Sequence, residues 1–396
     1  MTDIIQKSRE NVKRKLLIIL APVLVGSVLL AACQVQIGGT EQPTKTTTPS
    51  GTATSPSEFH PETILGIQGN PQISYPGIPW VRLGYPTCGS SPVIGQVGQM
   101  LKSIINTYHN QGIHVMLTYC QTSSDSLFDT NRLNDAAQGR ADAVQCGNEQ
   151  MKQSTATTYV TPERFAKFFD LCQNAMHAVR PDIPIILGAM DPQVVPDDNA
   201  KLANQAHYLD AMQSAMNASV HPGSNWDWHS QILGLIDSWH NGYPNAATNN
   251  LYQLFAFWAG QLHVDINSGD LGKHLWVIEG TGCVSDCGID ASNPREVAIS
   301  HILTLITDVQ TAMKYHIPFF YFSGKDFFIG QTSWPLGILD VNGHPKPLRQ
   351  DLQMGARTLE MSCSSGKVTV VDQEQLLAKL YSGCALPSDY VSILES

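Results

Sequence analysis

The sequence predicts an α/β chain folded as a (β/α)8 TIM barrel with a short C-terminal extension, and three observations carry that expectation. From residue 60 onward short apolar runs alternate with longer amphipathic segments; eight such runs fall within the globular part; and no Gly-x-Gly-x-x-Gly follows the first of them. Strands that alternate with helices pair in parallel through right-handed crossovers, and eight such units fit a closed barrel better than an open doubly wound sheet.

Strands are expected at 63–67, 79–84, 113–119, 143–148, 184–189, 232–239, 274–278 and 317–323, each a short apolar run. Helices are expected at 93–109, 161–180, 202–218, 249–265 and 295–315. The 161–180 segment is the clearest. Thr161 suits the N-cap, Pro162 the first helical position, and Glu163 the positive end of the helix dipole. Phe165, Phe168, Phe169, Cys172, Met176 and Val179 recur on one face at helical spacing, and Pro181 ends the segment. Residues 363–396 lie beyond the barrel count. Their β-rich Lys367–Val371 run and helical Glu374–Tyr381 run are expected to pack on the barrel.

The globular domain, 60–362, follows two segments that do not belong to it. Lys7, Arg9, Lys13, Arg14 and Lys15 precede an apolar stretch, Leu16 to Ala32, that closes on Leu30-Ala31-Ala32-Cys33. That ending resembles the lipobox of bacterial lipoproteins, which implies processing of residues 1–33 and lipidation of Cys33; a plain N-terminal membrane anchor is the alternative. Either places the rest outside the cytoplasmic membrane, and the lipobox reading anchors it to the bacterial cell membrane by lipid. Residues 34–58, rich in Thr, Ser, Pro and Gly, bury too little surface to order themselves and read as a tether. A monomer is expected.

Composition narrows the function. A 42% hydrophobic chain of 396 residues can build one large core, and a net charge of −10 disfavours a nucleic-acid partner. Export permits disulfides among the eight cysteines beyond Cys33. Cys283 with Cys287, Cys88 with Cys120, and Cys363 with Cys384 are plausible pairs, although spacing does not fix connectivity. The Cys283/Cys287 pair has no further Cys or His at finger-like spacing, so a disulfide is favoured there over a metal. Gly-x-Ser-x-Gly, His-Glu-x-x-His and P-loop patterns are absent, and no cofactor is implied.

The candidate chemistry lies where barrel strands end. Glu149 closes Ala143-Val144-Gln145-Cys146-Gly147-Asn148-Glu149, and Glu279 closes Leu275-Trp276-Val277-Ile278-Glu279. A carboxylate at the exit of a buried strand is poorly hydrated; one alone reads as a salt-bridged strand end, whereas two suggest an acid and a nucleophile for glycoside hydrolysis. On strands 4 and 7 they lie across the pocket, and a separation of about 5 Å would mean double displacement. Other strand ends carry Arg82, Tyr119, Asn148, His240 with Tyr243, and Ser323-Gly324-Lys325-Asp326. Arg82 would hold the nucleophile charged, His240 or Tyr243 could hydrogen-bond it, and Asn148 could bind a sugar hydroxyl. Trp226, Trp228 and Trp334 offer faces for sugar stacking, with ordinary packing the alternative for the first two.

Trp80-Val81-Arg82-Leu83, Gly147-Asn148-Glu149, Asp237-Ser238-Trp239-His240-Asn241-Gly242-Tyr243 and Ile278-Glu279-Gly280-Thr281-Gly282 resemble, in order, segments of the retaining glycoside hydrolases of clan A, with features of families 5 and 39. Residues 161–188 and the stretch Gly337 to Pro347 are similar to that group as well, so the resemblance spans about 60–355. It implies that Glu149 is the acid/base and Glu279 the nucleophile of a β-glycosidase acting on a poly- or oligosaccharide. Gln150 departs from the Pro that often follows the acid/base, and Tyr321-Phe322-Ser323 lacks the Trp often found on strand 8; Phe327, Phe328 or Trp334 could substitute. Two rivals from another class are a carbohydrate-binding lipoprotein without turnover and a transporter solute-binding lipoprotein.

Overall fold

The computed structural model describes residues 65–69, 73–75, 77–84, 94–121, 140–151, 159–190, 198–237, 250–280, 290, 292–329, 331–346 and 358–387. Cys33, the tether, Cys88, Cys283 and Cys287 lie outside them. Eight strands, β1 (Leu65–Gln68), β2 (Trp80–Gly84), β3 (His114–Tyr119), β4 (Ala143–Cys146), β5 (Ile185–Met190), β6 (Ile232–Asp237), β7 (Leu275–Gly280) and β8 (Phe319–Tyr321), pair in parallel in chain order, and β8 closes on β1. Helix α1 (Ile94–His109) follows β2, α2 (Pro162–Val179) follows β4, α3 (Asp198–Ala215) follows β5 and α4 (Asn250–Leu262) follows β6. After β7, α5 (Pro294–Thr304) runs through a π turn, Leu305–Val309, into α6 (Gln310–Lys314), so the helix expected over 295–315 is one rod with a widened middle turn.

Strand alternation sorts side chains into two cores. Val81, Leu83, Val115, Leu117, Val144, Leu233, Leu235 and Val277 point outward into the layer shared with the helices. Trp80, Met116, Ala143, Ile186, Trp276, Ile278 and Phe320 fill the barrel interior. On α2, Phe165, Phe168, Phe169, Cys172 and Met176 are buried as expected. Val179 is not: it lies on the same stripe but is the last residue of α2, and it stands 49% exposed where the helix ends. Thr161 occupies the N-cap without a side-chain bond; its carbonyl accepts from Phe165 N instead.

A disulfide that spacing did not suggest, Cys146–Cys172, ties the end of β4 to α2. Cys120 is also disulfide-bonded, to a partner outside the described residues. The C-terminal hairpin β11 (Leu359–Cys363) and β12 (Gly366–Val370), with α7 (Gln373–Tyr381), buries Leu359, Met361, Val370, Leu376 and Leu380 against Ala298 and Ile302 of α5. Cys363–Cys384 closes this unit, and Arg295 donates to the carbonyls of Leu380 and Cys384 at the end of α7.

At the opposite end of the strands from the candidate site, Asp142 Oδ2 meets His109 Nε2 at 2.8 Å and Val115 N at 2.8 Å, and its Oδ1 lies 3.4 Å from His114 Nδ1. Burial disfavours the Asp142 charge, but the hydrogen bonds from His109, His114 and Val115 outweigh it and hold the carboxyl below the usual range. The bond to Asp142 likewise raises His114 above 6.5 against its partial desolvation. The carboxylate's contribution to stability is therefore complete above about pH 4, and the imidazole's is lost as pH rises from 6.5 through the raised His114 midpoint. Asp142→Asn is expected to lower the melting temperature most between pH 5 and about 6.5 and to flatten its decline above that. Parallel melting curves for the two proteins from pH 5 to 8.5 would remove Asp142 from this role.

Candidate active site

The mouth of the barrel is built one layer above the interior core. Arg82 follows Trp80 inward on β2, Thr118 follows Met116 on β3, and Gln145 follows Ala143 on β4. Glu279 breaks this alternation. It directly succeeds Ile278, which is itself in the interior core, yet its Oε2 lies 2.9 Å from Arg82 Nη1. Two consecutive residues can face inward because the pairing of β7 slips on both sides, between Leu235 and Ile236 of β6 and between Val277 and Gly280 toward β8. The irregularity re-aims the carboxylate into the mouth.

Arg82, its side chain 4% exposed, is the centre of the site. Its Nη1 also donates to Gln68 Oε1 at 2.5 Å, its Nη2 to Asn148 Oδ1 at 2.8 Å, and its Nε to Gln145 Oε1 at 2.9 Å. The exit of β4 is held from a third side: Gln121 Nε2 donates to Asn148 O at 2.7 Å, and Asn148 N donates to Gln121 Oε1 at 2.8 Å. Arg82, Asn148 and Glu279 are thus brought together, as the sequence led us to expect. Gln68, Thr118, Gln121 and Gln145 were missed; the available signal, a polar side chain inside an apolar run, applied only to Thr118 and Gln145.

Glu149 stands on a strained turn. Its φ is +49°, and its N–H donates to Ala189 O at 3.0 Å. A non-glycine residue in this region costs about 1–2 kcal/mol, which is an observation pointing toward function. The next residue, Gln150, is fully buried and pins the turn to β5, where its Oε1 accepts from Ala189 N at 3.3 Å. Gly188 makes this possible, because its φ is +55° and a Cβ there would meet Gln150 Nε2 at 2.2 Å. Gly188→Ala is expected to cost about 2–4 kcal/mol in denaturant unfolding, strain and overpacking together. Adding Gln150→Ala should return part of that loss; strict additivity would show that the two residues do not share the slot.

The aromatic residues divide by end of the barrel. Trp226 and Trp228 precede β6, away from the mouth, and pack: Trp228 is buried edge-on to Trp258 with Nε1 donating to Asp210, and Trp226 meets Phe169 edge-on. Packing is their role. Tyr119 faces outward, stacked on Phe168. Beyond β8, Phe322 N donates to Gly280 O at 2.7 Å, which ties this backbone to the Glu279 strand. Phe322 meets Phe327 at 5.6 Å, and Phe327 stacks on Trp334 at 6.1 Å across the hairpin β9 (Phe327–Ile329) and β10 (Thr332–Trp334). Phe328, on the other face of β9, is 58% exposed. Behind the hairpin, Lys346 Nζ donates to Asp326 Oδ1 at 2.8 Å and to Pro335 O at 2.9 Å. His240 and Tyr243 lie outside the described residues. Among the described residues, no group of three or more His, Cys, Asp or Glu is arranged to hold a metal ion.

No family model and no curated protein sequence matches the chain. Solved structures similar to it include an exo-β-1,4-mannosidase from the Opitutaceae bacterium strain TAV5, 13% identical with a TM-score of 0.44, the match covering 70% of this chain and 52% of that one. A glucosidase from Croceicoccus marinus is 11% identical with a TM-score of 0.49, covering 78% and 70%. An endo-β-1,3-glucanase of family GH128 from Sorangium cellulosum is 14% identical with a TM-score of 0.43, covering 72% and 94%. The chain thus spans about half the length of the mannosidase. At such identities the likeness is one of chain path alone, and the barrel stands on its own strand pairing.

Proposed function

We propose that the protein is a retaining β-glycosidase that hydrolyses O-glycosidic bonds of a poly- or oligosaccharide by double displacement. Glu149 would be the acid/base and Glu279 the nucleophile. The observation that carries this reading is the Arg82 guanidinium, which bonds Glu279 from β7 and Asn148, the neighbour of Glu149, from β4. One cation therefore spans the two strand ends that hold the carboxylates. Paired with Arg82, Glu279 has a counter-charge suited to an ionised nucleophile. Asn148 uses its oxygen on Arg82 and Gln145, so its NH2 is the part left to meet a sugar hydroxyl. Trp334, through Phe327 and Phe322, belongs to an aromatic wall that suits the apolar face of a sugar ring. His240 and Tyr243 are assigned to substrate binding on sequence alone.

The reaction needs no cofactor in this reading. Glu279 attacks the anomeric carbon while Glu149 protonates the departing oxygen; water, deprotonated by Glu149, then releases the glycosyl-enzyme with the original configuration. The test is hydrolysis of a broad panel of aryl β-glycosides, with the first-formed anomer read by NMR. Release of the β-anomer is expected. Sugar binding without turnover anywhere on the panel would favour the carbohydrate-binding alternative, and an α-anomer would replace double displacement by inversion.

A further inference from the structure

Gln145 is buried inside β4, and its side chain is fully used. Oε1 accepts from Arg82 Nε at 2.9 Å and from Thr118 Oγ1 at 2.9 Å; Nε2 donates to Gly147 O at 2.7 Å and to Asn148 Oδ1 at 3.0 Å. A carboxamide has two acceptor positions and two donors, so none is spare. Its orientation is fixed as well: exchanging O and N would set an NH2 against the Arg82 N–H and an oxygen against two oxygens.

The neutrality of this group matters more than its packing. Arg82 contacts four acceptors, and Gln68, Gln145 and Asn148 supply three of them as uncharged amides. Among the described residues, Glu279 is the only carboxylate on the guanidinium. A carboxylate at 145 would keep the Nε contact, so the geometry alone does not call for glutamine. It would, however, divide one positive charge between two anions in a nearly dry site, and it would remove both donors to Gly147 O and Asn148 Oδ1. Along the sheet, Ile236 is the register partner of Glu279 on β6. Other described acidic residues at this end of the strands are Glu149 at the exit of β4, Asp237 at the end of β6 and Asp326 beyond β8, the last paired with Lys346.

We infer that Gln145 is a positioning residue: a neutral hub that reserves the Arg82 charge for Glu279 and locks the Asn148 carboxamide with its NH2 left for ligand. This assignment rests on the glycosidase reading for its consequence in catalysis, though its electrostatic part does not. The probe is Gln145→Glu in the full-length protein. The Glu279 carboxyl is followed by carbon-13 NMR in protein labelled at the glutamate side-chain carboxyl, with its signal identified as the one missing from Glu279→Gln. Its titration midpoint is expected to rise by about one pH unit or more, since a like charge now shares its cation. A Glu279 curve that superimposes on wild type would overturn the inference.

Gln68→Glu tests the same charge from the barrel rim, where the side chain is half-buried, and should move Glu279 in the same direction. It decides the matter alone if Gln145→Glu does not fold, an unmoved Glu279 counting against the inference. With an activated aryl β-glycoside, kcat/KM of either variant should fall about tenfold when measured one pH unit below the wild-type acid limb. A merely structural Gln145 would lower the melting temperature and leave that limb in place. If Glu279 shifts but no variant or wild type turns over, the glycosidase reading fails and the charge assignment stands. Turnover with an unmoved Glu279 does the opposite, keeping the glycosidase and removing the charge assignment.

Discussion

Glu279→Ala is expected to lower kcat on aryl β-glycosides by about 10⁵–10⁶-fold, the scale on which an enzyme loses rate when its nucleophile is deleted. The cause is chemical as well as positional. Water does not displace the leaving group directly at a useful rate in a site built for covalent capture, and alanine offers no electron pair. The loss should be repairable from outside. Sodium azide can enter the space vacated by the carboxylate and attack the same anomeric face, giving an α-glycosyl azide that no further step removes. Rescue of an activated substrate by azide, with inverted product, would identify Glu279 as the missing nucleophile. Retention of even a hundredth of wild-type kcat, free of contaminating wild-type enzyme, would sink that role. Thermal unfolding should separate this from misfolding, because deleting Glu279 also leaves Arg82 buried beside three neutral amides. An unpaired buried charge destabilises by about 3–5 kcal/mol, so the variant is expected to melt earlier while still folding.

The frame of this molecule is written plainly in its sequence because the barrel depends on a repeated local rule. All eight strands fall close to their expected ranges, since a short continuous apolar run between amphipathic segments has few other uses in an alternating chain. Arg82, Asn148 and Glu279 were legible for the same reason: polar side chains at strand exits are costly unless they converge. What could not be read is whatever depends on a register slip or a distant partner. Alternation alone would send Glu279 outward after an inward Ile278; the slip in β7 that turns it back has no sequence signature. Gln145 is a lone polar residue in an apolar run, and its partners Arg82 and Thr118 come from other strands, 63 and 27 residues away. Trp226 and Trp228 could be read as packing or stacking residues, since an aromatic residue in a loop carries no mark of which end of the barrel it occupies.

Glu149 should fail in a different way from Glu279, and the difference distinguishes their roles. An acid that protonates the leaving oxygen matters in proportion to that oxygen's basicity, so Glu149→Gln should cost about 10²–10⁴-fold in kcat/KM on alkyl glycosides or oligosaccharides. On a dinitrophenyl glycoside, whose leaving group departs without help, the loss in the same constant should be under about tenfold. A plot of log kcat/KM against leaving-group acidity should therefore steepen in the variant, and the basic limb of its pH profile should vanish. Equal losses across the series would remove Glu149 from the acid role. The backbone adds an independent reading. At φ +49° any side chain other than glycine is strained, so Glu149→Gly should gain about 1 kcal/mol of stability while losing activity as the glutamine variant does. A gain of stability coupled to a leaving-group-dependent loss of rate is the signature of a residue kept at a strained position for its chemistry; a packing residue would lose stability and spare the leaving-group slope.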